Sequence, residues 1–158
     1  MHISIFNKSD TIKNTEIFKN LYPSDEQFFN AFEFHKMPSR QSAKKIRFLL
    51  AEIENHLGHA LDYTQTTLEH ICPYSPDEWW DKNFQEGIND SRDRLGNMVL
   101  LEKDELKRSD FPKKKIFYQD SPFQLAKKIA EYDEWNQHNL NHYQHWLAGE
   151  AVKCWQLG

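Results

Sequence analysis

Apolar residues along this chain fall at helical spacing in its first and last thirds and gather in short runs in the middle. Ser24-Asp25-Glu26-Gln27 has the form of a capping box, with serine first and glutamine three residues on, and opens a helix through Phe28, Phe29, Phe32 and Phe34. A second helix is expected from Ser39 to about Leu57, ended by Gly58. Its apolar face carries Ile46, Leu49, Leu50, Ile53 and Leu57, while Arg40, Lys44 and Arg47 share another face. Between Leu61 and Ile71 the β-branched residues Thr64, Thr66, Thr67 and Ile71 predict a strand ending near Pro73. Ser75-Pro76-Asp77-Glu78 reads as a further helix start with Ser75 as cap, leading into Trp79, Trp80 and Phe84. A polar loop from Gly87 to Arg94 precedes a second strand, Leu95 to Leu101. Ser121-Pro122 caps a helix carrying Leu125, Ile129 and Tyr132, and a last helix, about Gln137 to Trp155, buries Leu140, Tyr143, Leu147, Ala151 and Cys154. The order predicts an α+β fold, a mainly helical body enclosing a short two-stranded antiparallel element.

A chain of 158 residues has room for one domain, here expected over 1–158. Its 39% hydrophobic and 14% aromatic content separates it from disordered chains, which are poor in aromatics. Cys72 and Cys154 are too few for a disulfide framework, no apolar run approaches a membrane span, and Met1-His2-Ile3-Ser4-Ile5 lacks a secretory pattern. A cytoplasmic location without membrane attachment is the expectation. The net charge of −4 hides an uneven distribution. Lys36 to Arg47 holds five bases and no acid, Phe48 to Ser91 nine acids and one base, and Lys113 to Lys128 five lysines and one acid. Local fields steer polyanions, so the two basic stretches are candidates for a phosphate-binding face, or else ordinary solvated helix faces.

Chemistry concentrates in Leu68-Glu69-His70-Ile71-Cys72-Pro73. Glu69 offers a hard oxygen ligand for a divalent cation and His70 a base. On a regular strand the two point to opposite faces, so one shared site requires a twist or break, which Pro73 makes plausible; the alternative is a structural hydrogen-bonded pair. In Arg94-Leu95-Gly96-Asn97-Met98-Val99-Leu100-Leu101, an asparagine within an apolar run needs its amide satisfied, and the segment carrying His70 is the natural partner. Cys72 beside His70 has no third orienting residue at recognisable spacing to make it a nucleophile. His138, His142 and His145 share one helix face but read as a solvated polar face rather than a zinc site.

Glu-His-Ile-x-Pro, then Leu-Gly-Asn-x-x-Leu-Leu, then Phe111-Pro112-Lys113-Lys114 and the tryptophan-bearing tail from Trp135 to Trp155 resemble the HNH-type nuclease domain at the C-terminal end of GmrSD-like modification-dependent restriction enzymes. Lys45 to Glu54 is similar to the helix leading into that domain, and the likeness covers about residues 40–156. It implies a ββα-metal core over about 62–115, between a helical part over about 1–58 and C-terminal helices over about 121–156. It further implies hydrolysis of DNA phosphodiester bonds with one divalent cation, Mg²⁺ or Mn²⁺. On that reading His70 is the general base, Glu69 binds the metal, and Asn97 holds the strand pair and the His70 loop in register. The family's further asparagine falls here on Leu106, and Asp104, Glu105 or Asp110 would replace it as oxygen donor. Arg40, Lys44, Arg47, Lys107, Arg108, Lys113, Lys114 and Lys115 would contact nucleic acid. The implied setting is a bacterial antiphage or restriction system in which a partner ATPase or DNA-sensing protein acts in trans. The alternative is a degenerate HNH fold that binds nucleic acid or a partner protein without cleavage.

Overall fold

The structure, a computed structural model, describes residues 24–85, 87–102, 106 and 108–155. Most helices begin where a side-chain oxygen meets the first unpaired backbone N–H groups. Ser24 caps α1 (Asp25–Glu33) with the reciprocal Gln27 contact of a capping box, and α2 (Ser39–His56) ends before Gly58, whose φ is +95°. The cap of α3 (Glu78–Asn83) is Asp77 and not Ser75, because the Asp77 carboxylate reaches the N–H groups of both Trp79 and Trp80. Asp110 caps α4 (Phe111–Asp120), with Pro112 in the first turn, where a missing N–H is harmless. Helix α5 (Gln124–Ile129) starts on the buried carboxylate of Glu54, which accepts from Gln124 N at 3.0 Å and Leu125 N at 2.6 Å. Helix α6 (Gln137–Cys154) starts on Asn136.

The fold is α+β: among the described residues a mostly helical body surrounds β1 (Thr67–His70) and β2 (Met98–Leu101), paired antiparallel with Glu69 opposite Val99 and His70 opposite Met98. Both strands are shorter than their sequence patterns suggest. Tyr63–Gln65 and Leu95–Asn97 are single 3-10 turns instead, and from the second the Asn97 amide bonds backwards to the loop after β1. All four β2 residues are buried and join Leu50, Ile53, Ile71, Trp80, Phe111, Trp135, Tyr143 and Leu147 in the core. Helix α4 carries Phe111, Lys114 and Tyr118 on its buried face.

Gln144 of α6 fastens the Leu95–Asn97 turn to the rest. Its Oε1 accepts from Gly96 N and its Nε2 donates to Phe32 O at 3.0 Å, so one buried amide links the turn before β2 to α1. A Cβ at position 96 would lie 2.5 Å from Gln144 Oε1 and 2.9 Å from its Cβ. Both cysteines are free, and no helix among the described residues is long and apolar enough to cross a membrane.

Gly96→Ala is expected to lower stability by about 1–3 kcal/mol, the usual cost of overpacking, read as a lower urea midpoint. Gly149→Ala, whose Cβ would meet only Phe29 at 3.9 Å inside α6, is expected to leave stability unchanged or raise it by about 0.5–1 kcal/mol.

Candidate active site

His70 is the last residue of β1, and strand alternation sends its side chain to the face opposite Glu69. The imidazole is half-buried and edge-on to the Tyr74 ring, with centroids 6.0 Å apart. Its Nε2 is shielded from solvent and has no hydrogen-bond partner among the described residues; the same is true of Asp93 Oδ1 and Arg92 Nε. Burial holds the His70 pKa below its usual 6.5, Asp93 opposes that shift, and the positive charges of Lys114 and Arg92 add to it. The ring is therefore neutral at neutral pH and able to accept a proton.

Asn97 sets the backbone around this ring. Fully buried, its Oδ1 accepts from Cys72 N at 2.9 Å, while its Nδ2 donates to Cys72 O at 3.0 Å and to Arg92 O at 3.3 Å. The Trp135 indole N–H adds a contact to Oδ1 at 3.4 Å. One amide thus joins the chain two residues after His70 to the loop before β2. Ile71 N donates to Asn97 O at 2.8 Å and closes the same junction through the backbone. Asn97 is enclosed, and its amide holds this junction together from within the core. Burial pushes the Cys72 thiol up to about 12, which disfavours its thiolate form.

The other face of β1 departs from expectation. Glu69 accepts from the Lys114 ammonium at 3.1 Å and from the Tyr118 hydroxyl, both on α4. Lys114 also donates to His70 O at 2.9 Å, lies 5.9 Å from the centre of the Trp80 ring, and is wholly buried. Burial and the neighbouring carboxylate push the Tyr118 hydroxyl well above its usual range, so it stays protonated and donates. The expectation of Lys114 at a nucleic-acid surface is thereby corrected: its charge is spent on Glu69. Glu69 meets an ammonium where a divalent ion was expected, and its side chain does not join that of His70. Among the described residues no group of three or more His, Cys, Asp or Glu side chains could hold a metal ion. Among the described residues the groups that meet Glu69 Oε1 are an ammonium and a hydroxyl, not the further ligands that a divalent ion needs.

The remaining expected residues divide. Asp104, Glu105 and Lys107 lie outside the described residues. Asp110 is engaged as the α4 cap, accepting from Lys113 N at 3.0 Å. Lys115 pairs with Asp133 at 3.1 Å; Lys44, Arg108 and Lys113 are exposed and Arg47 is half-buried. Arg40 reaches the His70 region, with its guanidinium 5.1 Å from the centre of the Tyr74 ring. Of the three histidines on α6, His142 bonds Tyr132 and His145 bonds Glu33, so the two do not converge. Tyr74, Arg92 and Asp93 were not anticipated as site residues. They carry no motif spacing, and the one signal was the density of charge in Arg92-Asp93-Arg94 immediately before Leu-Gly-Asn.

The sequence profile of the family described as GmrSD restriction endonucleases, C-terminal domain, matches residues 22–150. No curated protein matches the chain.

Removing one member of the β1–α4 ion pair strands the other in the core. Lys114→Met is expected to cost about 3–5 kcal/mol, while the double change Lys114→Met with Glu69→Gln is expected to recover much of that. Denaturant melts of the two singles and the double give the coupling energy; additive losses would contradict the pairing.

Proposed function

From the premise that this chain belongs to the GmrSD restriction endonuclease C-terminal domain family, we propose that it is a restriction-type nuclease module that hydrolyses phosphodiester bonds in DNA with His70 as general base. The observation supporting this reading is a neutral, half-buried imidazole at the end of β1, bordered by Arg92 and Asp93 and set on a backbone junction that Asn97 ties from both sides. In the proposed reaction a water attacks phosphorus in line with the departing oxygen; His70 takes the proton the water sheds, the bond from phosphorus to the departing oxygen breaks, and that oxygen takes a proton from solvent. Asp93 favours the imidazolium formed in that step, since its charge opposes the lowering of the His70 pKa. Asn97 keeps the ring from swinging with the loop, and Lys114 fixes the His70 carbonyl from the opposite face. No step is assigned to a metal at Glu69, whose Oε1 already accepts from Lys114 and Tyr118.

A second reading keeps the fold and drops the chemistry: a nucleic-acid or partner-binding module. It is favoured by one observation, the occupation of Glu69 by Lys114 and Tyr118. Recognition supplied by a partner ATPase or DNA sensor in trans belongs to the first reading. A lone chain that cleaves its target at full rate contradicts that part.

The test is cleavage of plasmid and duplex oligonucleotides in Mg²⁺ or Mn²⁺, with and without EDTA. His70→Ala is expected to slow cleavage by about 10²–10⁴-fold, the worth of a placed general base, with its melting curve preserved. A base must be unprotonated to act, so the rate should rise with pH along an acidic limb. Because the His70 pKa is lowered, the midpoint of that limb should lie below 6.5 and the rate should be flat from about pH 7 to 8. The limb should vanish in His70→Ala. Salt-sensitive binding with no cleavage under any of these conditions would favour the binding module.

A further inference from the structure

Three separate segments meet on the His70 side of β1. Arg40 comes from the first turns of α2, Tyr74 from the chain after β1, and Arg92 from the loop before β2. Their backbones are tied together: Met37 N donates to Asp93 O at 2.7 Å, Lys36 forms a β-bridge with Arg94, and Asn97 bonds both Cys72 and Arg92. The outcome is two guanidiniums over one ring, 5.1 Å (Arg40) and 4.5 Å (Arg92) from its centroid, with the His70 ring edge-on to the same tyrosine.

The electrostatics of this cluster are incomplete. Among the described residues neither Arg40 nor Arg92 lies within 4.0 Å of a carboxylate oxygen, unlike Lys36, Lys114, Lys115, Lys128 and Lys153. Arg92 donates from Nη2 to Asn89 Oδ1 at 3.0 Å, and its Nε has no partner. Two like charges gathered around one aromatic ring repel each other, and the ring's electron-rich faces offset only part of that repulsion. An anion that pairs with these guanidiniums relieves the repulsion, and guanidinium forks match the paired oxygens of a phosphodiester. Tyr74 is 39% exposed, so the cluster is open to solvent.

We propose that Arg40, Arg92 and Tyr74 form a clamp for a DNA backbone phosphate beside His70, with Tyr74 as the platform that holds both guanidiniums. This deepens the hydrolytic reading and rests on His70 as the reacting centre. It gives the basic face of α2 a specific task, since Arg40 is the member of that face that reaches the ring beside the base. Arg92 is a substrate-binding residue that motif spacing does not select.

The experiment measures binding of the His70→Ala chain to a duplex DNA oligonucleotide by fluorescence anisotropy over a range of NaCl concentrations. Arg40→Ala, Arg92→Ala and their combination are introduced in that background. Each arginine removed is expected to flatten the slope of log K against log salt by about 0.9, the value for one lost phosphate contact on duplex DNA, and the double change by about twice that. Arg40→Lys with Arg92→Lys keeps the charges and is expected to restore most of the slope. Tyr74→Ala should weaken binding and Tyr74→Phe should not. Lys153→Ala removes one exposed positive charge elsewhere and is expected to leave the slope unchanged. A slope unaffected by the arginine changes, or lowered equally by Lys153→Ala, overturns the clamp. Cleavage by the otherwise unmodified chain separates this from the hydrolytic reading. Activity with an unaltered KM in Arg40→Ala and Arg92→Ala sinks the clamp and leaves hydrolysis standing. The expected slope changes in a chain that never cleaves would sink hydrolysis and leave the clamp.

Discussion

Burying the Lys114 ammonium is the constraint on which this site depends. A charge withdrawn from water must find its full complement of acceptors or destabilise the fold by several kcal/mol. At the end of β1 that complement includes the Glu69 carboxylate, the His70 carbonyl and the face of Trp80. Satisfying that charge fixes α4 against the strand pair. It also fixes the last residue of β1, because one of these acceptors is the backbone of His70 itself. Alternation then does the rest: with Glu69 turned to the helix, the His70 side chain must project to the other side.

A second buried group completes the arrangement. The Asn97 amide uses both its oxygen and its nitrogen on the chain just beyond His70 and extends to Arg92, so the two loops flanking the strands cannot move independently. Lys114 secures His70 from the helix side and Asn97 secures it from the loop side. Neither needs to touch substrate. What they leave between them is an imidazole kept neutral by its surroundings, next to Asp93 and below a tyrosine carrying two guanidiniums. That division, with rigid charge pairing inside and unneutralised charge outside, suits a surface that meets a polyanion.

Much of this was legible from residues alone. The Ser24 capping box and the apolar stripe of Ile46, Leu50 and Ile53 declare α1 and α2, because local capping and helical periodicity agree there with the tertiary packing. Asn97 was legible for a physical reason, since an amide in an apolar run must find partners. Helix α4 was hidden from periodicity. Three consecutive lysines obscure its apolar stripe, and one of the three, Lys114, points into the core. No reading of charge alone separates Lys114 from Lys113 and Lys115; the difference is the acidic residue 45 positions earlier that waits for it. The cap expected at Ser75 is instead Asp77, because it is the Asp77 side chain that reaches the free N–H groups. Tyr74 and Arg92 come together only through the folding of loops, a relation that leaves no spacing to read.

Lys114 and Tyr118 engage Glu69 Oε1 on the α4 side of β1, and the proposed base His70 projects to the other side. A crystal structure grown in Mn²⁺, with anomalous scattering recorded at the manganese edge, tests this most directly. The prediction is the Lys114 ammonium within hydrogen-bonding distance of Glu69 and no anomalous peak within coordination distance of that carboxylate. A manganese ion coordinated by Glu69, with Lys114 displaced from it, would contradict the claim.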